Sequence, residues 1–284
     1  MSGPRVRGML CDLDGVVYRG DHACDGAVEG LVSAREAGVR LLFMTNNASR
    51  TPEDVAAHIS SLGLPTRPSE VLTASQVGAR ALAERHERGQ VRLDEGQVVL
   101  AVGGEGVGTA LTEEGLPWVS AAQVRDRAST DRPLHVAAVL QGYGASVCVG
   151  DLTEAVYAVR AGAAWVATND DATLPTARGL AVGNGSLVAA VANATGSRPE
   201  VVGKPHAPAY RMALSRLEIP LEECLMLGDR LDTDIAGAVA VGMRSALVLT
   251  GVSTAEEAAA ANPHERPDHV AARIPDLAHL WSAS

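Results

Sequence analysis

Short, unbroken apolar runs recur along this chain, and they restrict its fold more than any other feature. Residues 98–102, 136–140, 164–167, 224–227 and 246–249 have this character, and so do 6–11, 40–44 and 200–202 apart from Arg7, Arg40 and Glu200. Most are too short for a helix and lack the alternation of a strand with one wet face. Parallel strands covered on both faces by helices have this pattern. Helical patterns lie between the runs. Residues 26–36 read as a helix stopped by Gly38, Thr51-Pro52 opens another with proline at the first helical position, and residues 208–217 form a third. The spacing therefore predicts an α/β protein with a parallel sheet. Phe43 is the sole phenylalanine, so the core is expected to be mainly Val, Leu and Ala.

Charge narrows the function classes. The formal net charge is −10, with 34 acidic and 24 basic residues. An acidic surface argues against general affinity for nucleic acid or anionic membrane, which need a basic face. Every apolar stretch is interrupted by charge before it reaches membrane-span length. Cys11, Cys24, Cys148 and Cys224 show no metal-binding or paired spacing, so the expectation is reduced, buried thiols in a cytoplasmic protein. Lys204 is the only lysine; every other basic residue counted is arginine. That singles out a position where a compact ammonium is required and a forked guanidinium does not serve.

Four segments carry chemistry. In Asp12-Leu13-Asp14-Gly15, an apolar strand ends in two carboxylates, and the glycine lets the chain turn so that both reach the crevice beyond the strand end. In Thr45-Asn46-Asn47, a second strand end offers a hydroxyl, amides and free N–H groups, a cradle for phosphate oxygens. Gly203-Lys204-Pro205 delivers the lone lysine at a turn. In Gly228-Asp229-Arg230-Leu231-Asp232-Thr233-Asp234, a third strand end supplies Asp229, which with Asp12 provides the hard oxygen ligands of Mg2+. Asp232 and Asp234 also suit a helix N-terminus.

These segments lie within roughly the first 75 and last 100 residues. The middle has strand–helix alternation but no catalytic cluster. We therefore expect a core of residues 1–75 and 184–284 carrying an inserted cap of residues 76–183. The charged stretches 83–96 and 125–133 read as a linker and a surface loop. Gly103-Gly104-Glu105-Gly106-Val107-Gly108 fails as a dinucleotide motif because Thr109 stands where the third glycine belongs, and it reads as a strand-to-helix turn.

Together and in this order, the four segments resemble the motifs of the haloacid dehalogenase superfamily. The wording of residues 45–51 and 228–235 resembles its subfamily IIA, which includes p-nitrophenylphosphatases, phosphoglycolate and glycerol phosphate phosphatases, nucleotidases and pyridoxal phosphate phosphatases. The resemblance implies a Rossmann-like core with an α/β cap and Mg2+-dependent hydrolysis of a small phosphorylated metabolite through an aspartyl phosphate. It implies Asp12 as nucleophile, Asp14 as acid–base, and Thr45, Asn46 and Lys204 as phosphate binders. The metal would be held by Asp12, the Asp14 carbonyl and Asp229, with Asp234 behind them. A homodimer through the cap is left open.

Where the family shows an aspartate after the cap strand, this chain has Gly142-Tyr143-Gly144, and Ala181-Val182 replace a proline-containing turn. Both departures touch substrate choice. Tyr143, Asn169 and Asp170 are the candidates for reading the leaving portion, with strand-end capping the other reading of the last two. The expected substrate is a sugar phosphate, glycerol phosphate or phosphoglycolate; a nucleoside monophosphate or pyridoxal phosphate is the alternative. From a different class, a phosphometabolite-binding regulator would keep the fold without turnover. A dehalogenase would need neither Asp14 nor the metal, and an ion pump would need membrane spans.

Overall fold

The computed structural model describes residues 4–93, 96–128, 134–176 and 178–282. Its strands are β1 (Gly8–Cys11), β2 (Tyr18–Arg19), β3 (His22–Ala23), β4 (Arg40–Thr45), β5 (Val71–Thr73), β6 (Gln97–Val102), β7 (Trp118–Ser120) and β8 (His135–Gln141). They continue with β9 (Ala164–Ala167), β10 (Thr173–Thr176), β11 (Gly179–Val182), β12 (Glu200–Val201), β13 (Cys224–Gly228), β14 (Arg244–Val248) and β15 (His269–Ala271). The helices are α1 (Ala27–Glu36), α2 (Pro52–Ser61), α3 (Ala74–Glu87), α4 (Glu105–Glu113), α5 (Ala121–Ala128), α6 (Val149–Arg160), α7 (Asn184–Thr195), α8 (Ala207–Leu217), α9 (Ala236–Val241) and α10 (Ala255–Ala260). No helix among the described residues is long and apolar enough to cross a membrane.

The chain divides into two units. The first comprises Met1–Thr45, Pro52–Leu72 and Lys204–Ser284. Among the described residues its sheet runs β15-β14-β13-β1-β4-β5. β1 lies inside it, parallel to β13 on one side and β4 on the other, and all four of its residues are buried. That is why its sequence shows no alternation. Leu31, Phe43, Ile59 and Trp281 are among the large side chains of this unit's core. From β1 the chain moves outward to β4, whereas β13, β14 and β15 build the other side. The direction of winding therefore switches between β1 and β13, and their carboxyl ends border the crevice where open α/β sheets bind ligands.

The second unit comprises Asn46–Thr51 and Thr73–Gly203. Its parallel sheet runs β12-β9-β8-β6-β7 among the described residues, with the antiparallel pair β10–β11 separate from it. Leu100, Val139, Trp165 and Val191 fill its core. The unit ends at Gly203, beyond the boundary expected at Gly183. β12 pairs with β9, and Val188 and Val191 of α7 belong to this core, so the chain between the two positions packs here. The unit also takes Asn46–Thr51, a segment the sequence reading left in the core domain.

The stretch read as a linker at 83–96 is in part helical. α3 runs through to Glu87, with the Thr73 hydroxyl capping it by accepting the Gln76 N–H at 3.3 Å. Its charges hide the pattern because they pair along one face: Arg80 meets Glu84 at 3.4 Å, and Arg88 meets Glu84 at 3.1 Å. Likewise α5 continues to Ala128 in the stretch read as a surface loop. Residues 94–95 and 129–133 of these two stretches lie outside the described residues.

Candidate active site

β1 delivers Asp12 to the carboxyl edge of its sheet, where the chain turns sharply. The Leu13 carbonyl accepts the N–H groups of Val16, Val17 and Tyr18, and Gly15 N donates to the Tyr18 carbonyl at 2.8 Å. Gly15 has φ +88°, and a Cβ there would run into Asp229 Oδ2. Only glycine meets both demands. The turn leaves Asp14 exposed two residues beyond buried Asp12.

Strand register brings Asp229 beside Asp12. Cys11 pairs with Leu227, and the Asp12 N–H donates to the Leu227 carbonyl at 2.9 Å. Asp229 is fully buried. Its Oδ2 accepts the Val252 N–H at 2.8 Å, while its Oδ1 has no hydrogen-bond partner. The π-helical turn Leu231–Ile235 then folds Asp234 back toward the strand end. Asp234 Oδ2 accepts the N–H groups of Asp229 and Arg230, at 3.3 and 3.2 Å. Its Oδ1 accepts the Lys204 ammonium at 2.7 Å, and the same ammonium donates to Asp12 Oδ1. Below the turn, the buried Tyr210 hydroxyl sits 3.0 Å from the carbonyls of both Thr233 and Asp234.

Burial and mutual repulsion govern the charges. Burial, then Asp12 and Asp234, push the Asp229 carboxyl up to about 8. Burial also pushes Asp234 up to about 6, with Asp12 adding to the rise and Lys204 opposing it. For Lys204 burial works against the ammonium, but Asp12 and Asp234 more than offset it and hold its pKa well above the ordinary lysine value. Oxygens of Asp12, Asp229 and Asp234 lie within 4.8 Å of one another. Three clustered carboxylates with one ammonium, one of them presenting a buried and unpartnered oxygen, fit a small divalent cation that prefers hard ligands.

Asp12, Lys204, Asp229 and Asp234, picked out separately in the sequence, thus form one cluster. Thr45 is buried at the end of β4, which pairs with β1. Asn46, the next residue, belongs to the second unit, as do Tyr143, Asn169 and Asp170. Tyr143 is half-buried, and its carbonyl accepts the Gly104 N–H at 3.0 Å. Asn169 is buried and donates to the Asn46 carbonyl at 2.7 Å, whereas Asp170 is exposed. The sequence reading missed Tyr210 and the segment Thr250–Val252. Thr250 Oγ1 donates to the Gly15 carbonyl at 2.7 Å. The signal was available for this segment, since it follows β14, another strand end on the same edge. Tyr210 gave none, because a tyrosine on a helix reads as core.

Comparison with known proteins agrees with this geometry. The haloacid dehalogenase-like hydrolase family model matches residues 9–117, and a HAD-hydrolase-like model matches residues 201–277. D-glycerol 3-phosphate phosphatase of Mycobacterium tuberculosis is 44% identical over 262 residues, covering 92% of this chain and 68% of that protein. An acid sugar phosphatase of Staphylococcus aureus is 34% identical over 253 residues, covering 89% of this chain and 90% of that one. The crystal structure of the Mycobacterium tuberculosis glycerol phosphate phosphatase in complex with magnesium superimposes with a TM-score of 0.84 at 42% identity, covering 96% of this chain and 76% of that one. Relatives of this similarity over most of the chain establish that it belongs to the haloacid dehalogenase-like hydrolases.

Proposed function

We propose that this hydrolase removes phosphate from a small three-carbon or sugar phosphate by way of an aspartyl phosphate. One observation carries the reading: the Asp12 carboxylate is bound to the lone lysine next to a buried, unpartnered carboxylate oxygen at the switch point of the sheet. An Asp12 oxygen attacks phosphorus and the bond to the substrate's ester oxygen breaks, with Asp14 donating a proton to the departing alcohol. Water then attacks the phosphorus, Asp14 takes its proton, and the bond to Asp12 breaks to release inorganic phosphate. Exposed Asp14 can exchange protons in both half-reactions, a freedom denied to buried Asp12. Thr45, the Asn46 main chain and Lys204 hold the phosphoryl oxygens, where positioning and charge do most of the catalytic work.

Asp12, the Asp14 carbonyl and Asp229 would hold Mg2+, which supplies positive charge against the phosphoryl oxygens. Asp234 serves behind them, since its oxygens are taken by Lys204 and by two backbone N–H groups. We assign the second unit the part of the cap that reads the leaving group, and we place the enzyme in the cytoplasm, with its four cysteines free. Apolar side chains exposed on that unit, Val149, Tyr157, Leu180 and Val182, favour a homodimer through it, which sedimentation will test.

The glycerol phosphate and acid sugar phosphatase relatives favour the substrate class. The test is phosphate release over a panel of glycerol 3-phosphate, phosphoglycolate, sugar phosphates, nucleoside monophosphates and pyridoxal phosphate. Asp12→Ala is the blank, with and without excess EDTA. The reading expects one small phosphate well above the rest, and silence in both controls. A tightly bound phosphometabolite without turnover would turn the argument to a regulator, and turnover in EDTA would remove the metal assignment.

A further inference from the structure

In the second unit, the sheet winds outward in both directions from between β6 and β8, so its own switch point lies at the carboxyl ends of those two strands. Such a crevice ordinarily receives a ligand. Here it receives the protein's own chain. A Cβ on Gly104 would meet Ser49 Cα at 2.7 Å, one on Gly106 would strike the Arg50 and Ala48 carbonyls, and one on Gly142 would meet Ala48 Cβ at 2.8 Å. Gly106 N donates to the Ser49 carbonyl at 3.3 Å, and Ser75 Oγ donates to the Ala48 carbonyl at 2.9 Å. The glycine-rich run after β6 is therefore a seat for the segment that follows Asn46.

Asn46 itself is gripped from the loop after β9. Its carbonyl accepts Asn169 Nδ2 at 2.7 Å, and its own Nδ2 donates to Asp171 Oδ2 at 3.0 Å. Its Oδ1 lies so close to Gly203 that a Cβ there would come within 2.8 Å. The grip is braced in turn: Asn169 Oδ1 accepts the Asp171 N–H at 3.2 Å, and Asn184 Nδ2 donates to the Asn169 carbonyl at 2.7 Å. With carbonyl and side chain both held, the torsions of Asn46 are set, and with them the direction of its main-chain N–H.

We infer that Asn169 and Asp171 are positioning residues for phosphoryl binding, holding Asn46 in the orientation that its N–H needs. This rests on the proposed place of Asn46 among the phosphate binders. It gives Asn169 a task common to every substrate, because the group being held is the phosphoryl group and not the leaving portion. A residue reading the leaving portion would act differently on different substrates.

The test compares Asn46→Ala, Asp171→Ala, Asp171→Asn and the double variant Asn46→Ala/Asp171→Ala. Each is assayed with p-nitrophenyl phosphate and glycerol 3-phosphate, with inorganic phosphate as inhibitor and thermal unfolding to verify the fold. Asp171→Ala is expected to lower kcat/KM by roughly tenfold or more, as small misplacements of a binding group do. The factor should be the same for both substrates, with phosphate inhibition weakened to match. Asp171→Asn, which keeps an acceptor oxygen, should recover most of the loss, and Asp171→Ala should add little once Asn46 is alanine. A factor that differs between the substrates, or a loss that simply multiplies in the double variant, would overturn the inference. So would an Asp171→Ala enzyme with unchanged kinetics when Asn46→Ala is impaired, and the phosphate-binding assignment would stand. An Asn46→Ala enzyme with unchanged phosphate inhibition would overturn the inference while the main-chain assignment, whose N–H the variant keeps, would stand.

Discussion

Asp234 accepts the Lys204 ammonium on one oxygen at 2.7 Å, while its other oxygen is held by the N–H groups of Asp229 and Arg230. The residue that orients the lysine is thus fixed by the same backbone that presents Asp229. A displacement of either motif is transmitted to the other through one buried carboxylate. Both side chains are almost fully buried, at 4% and 1% exposure, so water cannot replace a lost partner.

Replacing Asp234 by alanine leaves Lys204 with one fewer partner and two backbone N–H groups without an acceptor. Breaking a buried pair in this way costs about 3–5 kcal/mol. Chemical denaturation should show a loss of that order, with kcat falling further than KM rises. A variant of unchanged stability would mean that the pair contributes nothing to the fold.

Lys204→Arg keeps the charge and should still be a poor enzyme. The ammonium bonds Asp12 and Asp234 from a buried site, and a planar fork presents its donors in a different geometry. Steady-state assays should give a fall in kcat/KM of roughly 10²-fold, the cost of a misplaced catalytic group. Activity near that of the parent would show that charge alone suffices.

Without a divalent cation, stability should decline as pH rises. Burial and the neighbouring carboxylates push Asp229 up to about 8 in the folded chain, so the fold binds its proton more tightly than the unfolded chain does. That contribution is complete below about pH 4, the ordinary aspartate range, and is lost as pH climbs through about 8. Asp234, pushed up to about 6, acts in the same direction. In EDTA, Tm should therefore fall between pH 6 and pH 8.5, and Mg2+ should raise it more at the higher pH, where protons no longer compete for Asp229. A Mg2+ shift larger at pH 6 would contradict the assignment.

Gly15→Ala should impair both stability and turnover. Its φ of +88° is unfavourable for alanine, and the added carbon collides with Asp229 Oδ2. Strained backbone of this kind costs about 1–3 kcal/mol before the collision is counted. Thermal unfolding and Mg2+ titration should both register the change, whereas Gly20→Ala, with open space around it, should leave turnover and metal binding unchanged.

Much of this is legible in the sequence. Uninterrupted apolar runs such as those ending at Cys11 and Leu227 revealed parallel strands, because a strand covered on both faces has no polar side to display. Carboxylates at the ends of such runs marked the crevice. Short strands escaped notice: β5, β7 and β15 have three residues each, too few for any period to register. α3 was obscured for another reason, since its charged residues pair with one another and leave little apolar stripe.

The sequence by itself determined the α/β class, the strand ends at which the carboxylates lie and the standing of Lys204 as the sole lysine, because these depend on local composition and on order along the chain. Tertiary structure decided which residues meet. That Asp234 binds Lys204 across thirty positions, that Tyr210 braces the turn below it, and that Asn46 belongs with Asn169 and Asp171 all follow from register and packing between distant segments. It also decided what the glycines after β6 are for. A glycine-rich turn looks the same in sequence whether it makes room for a cofactor or for the chain itself, and only the contacts of Gly104 and Gly106 with Ala48, Ser49 and Arg50 distinguish the two.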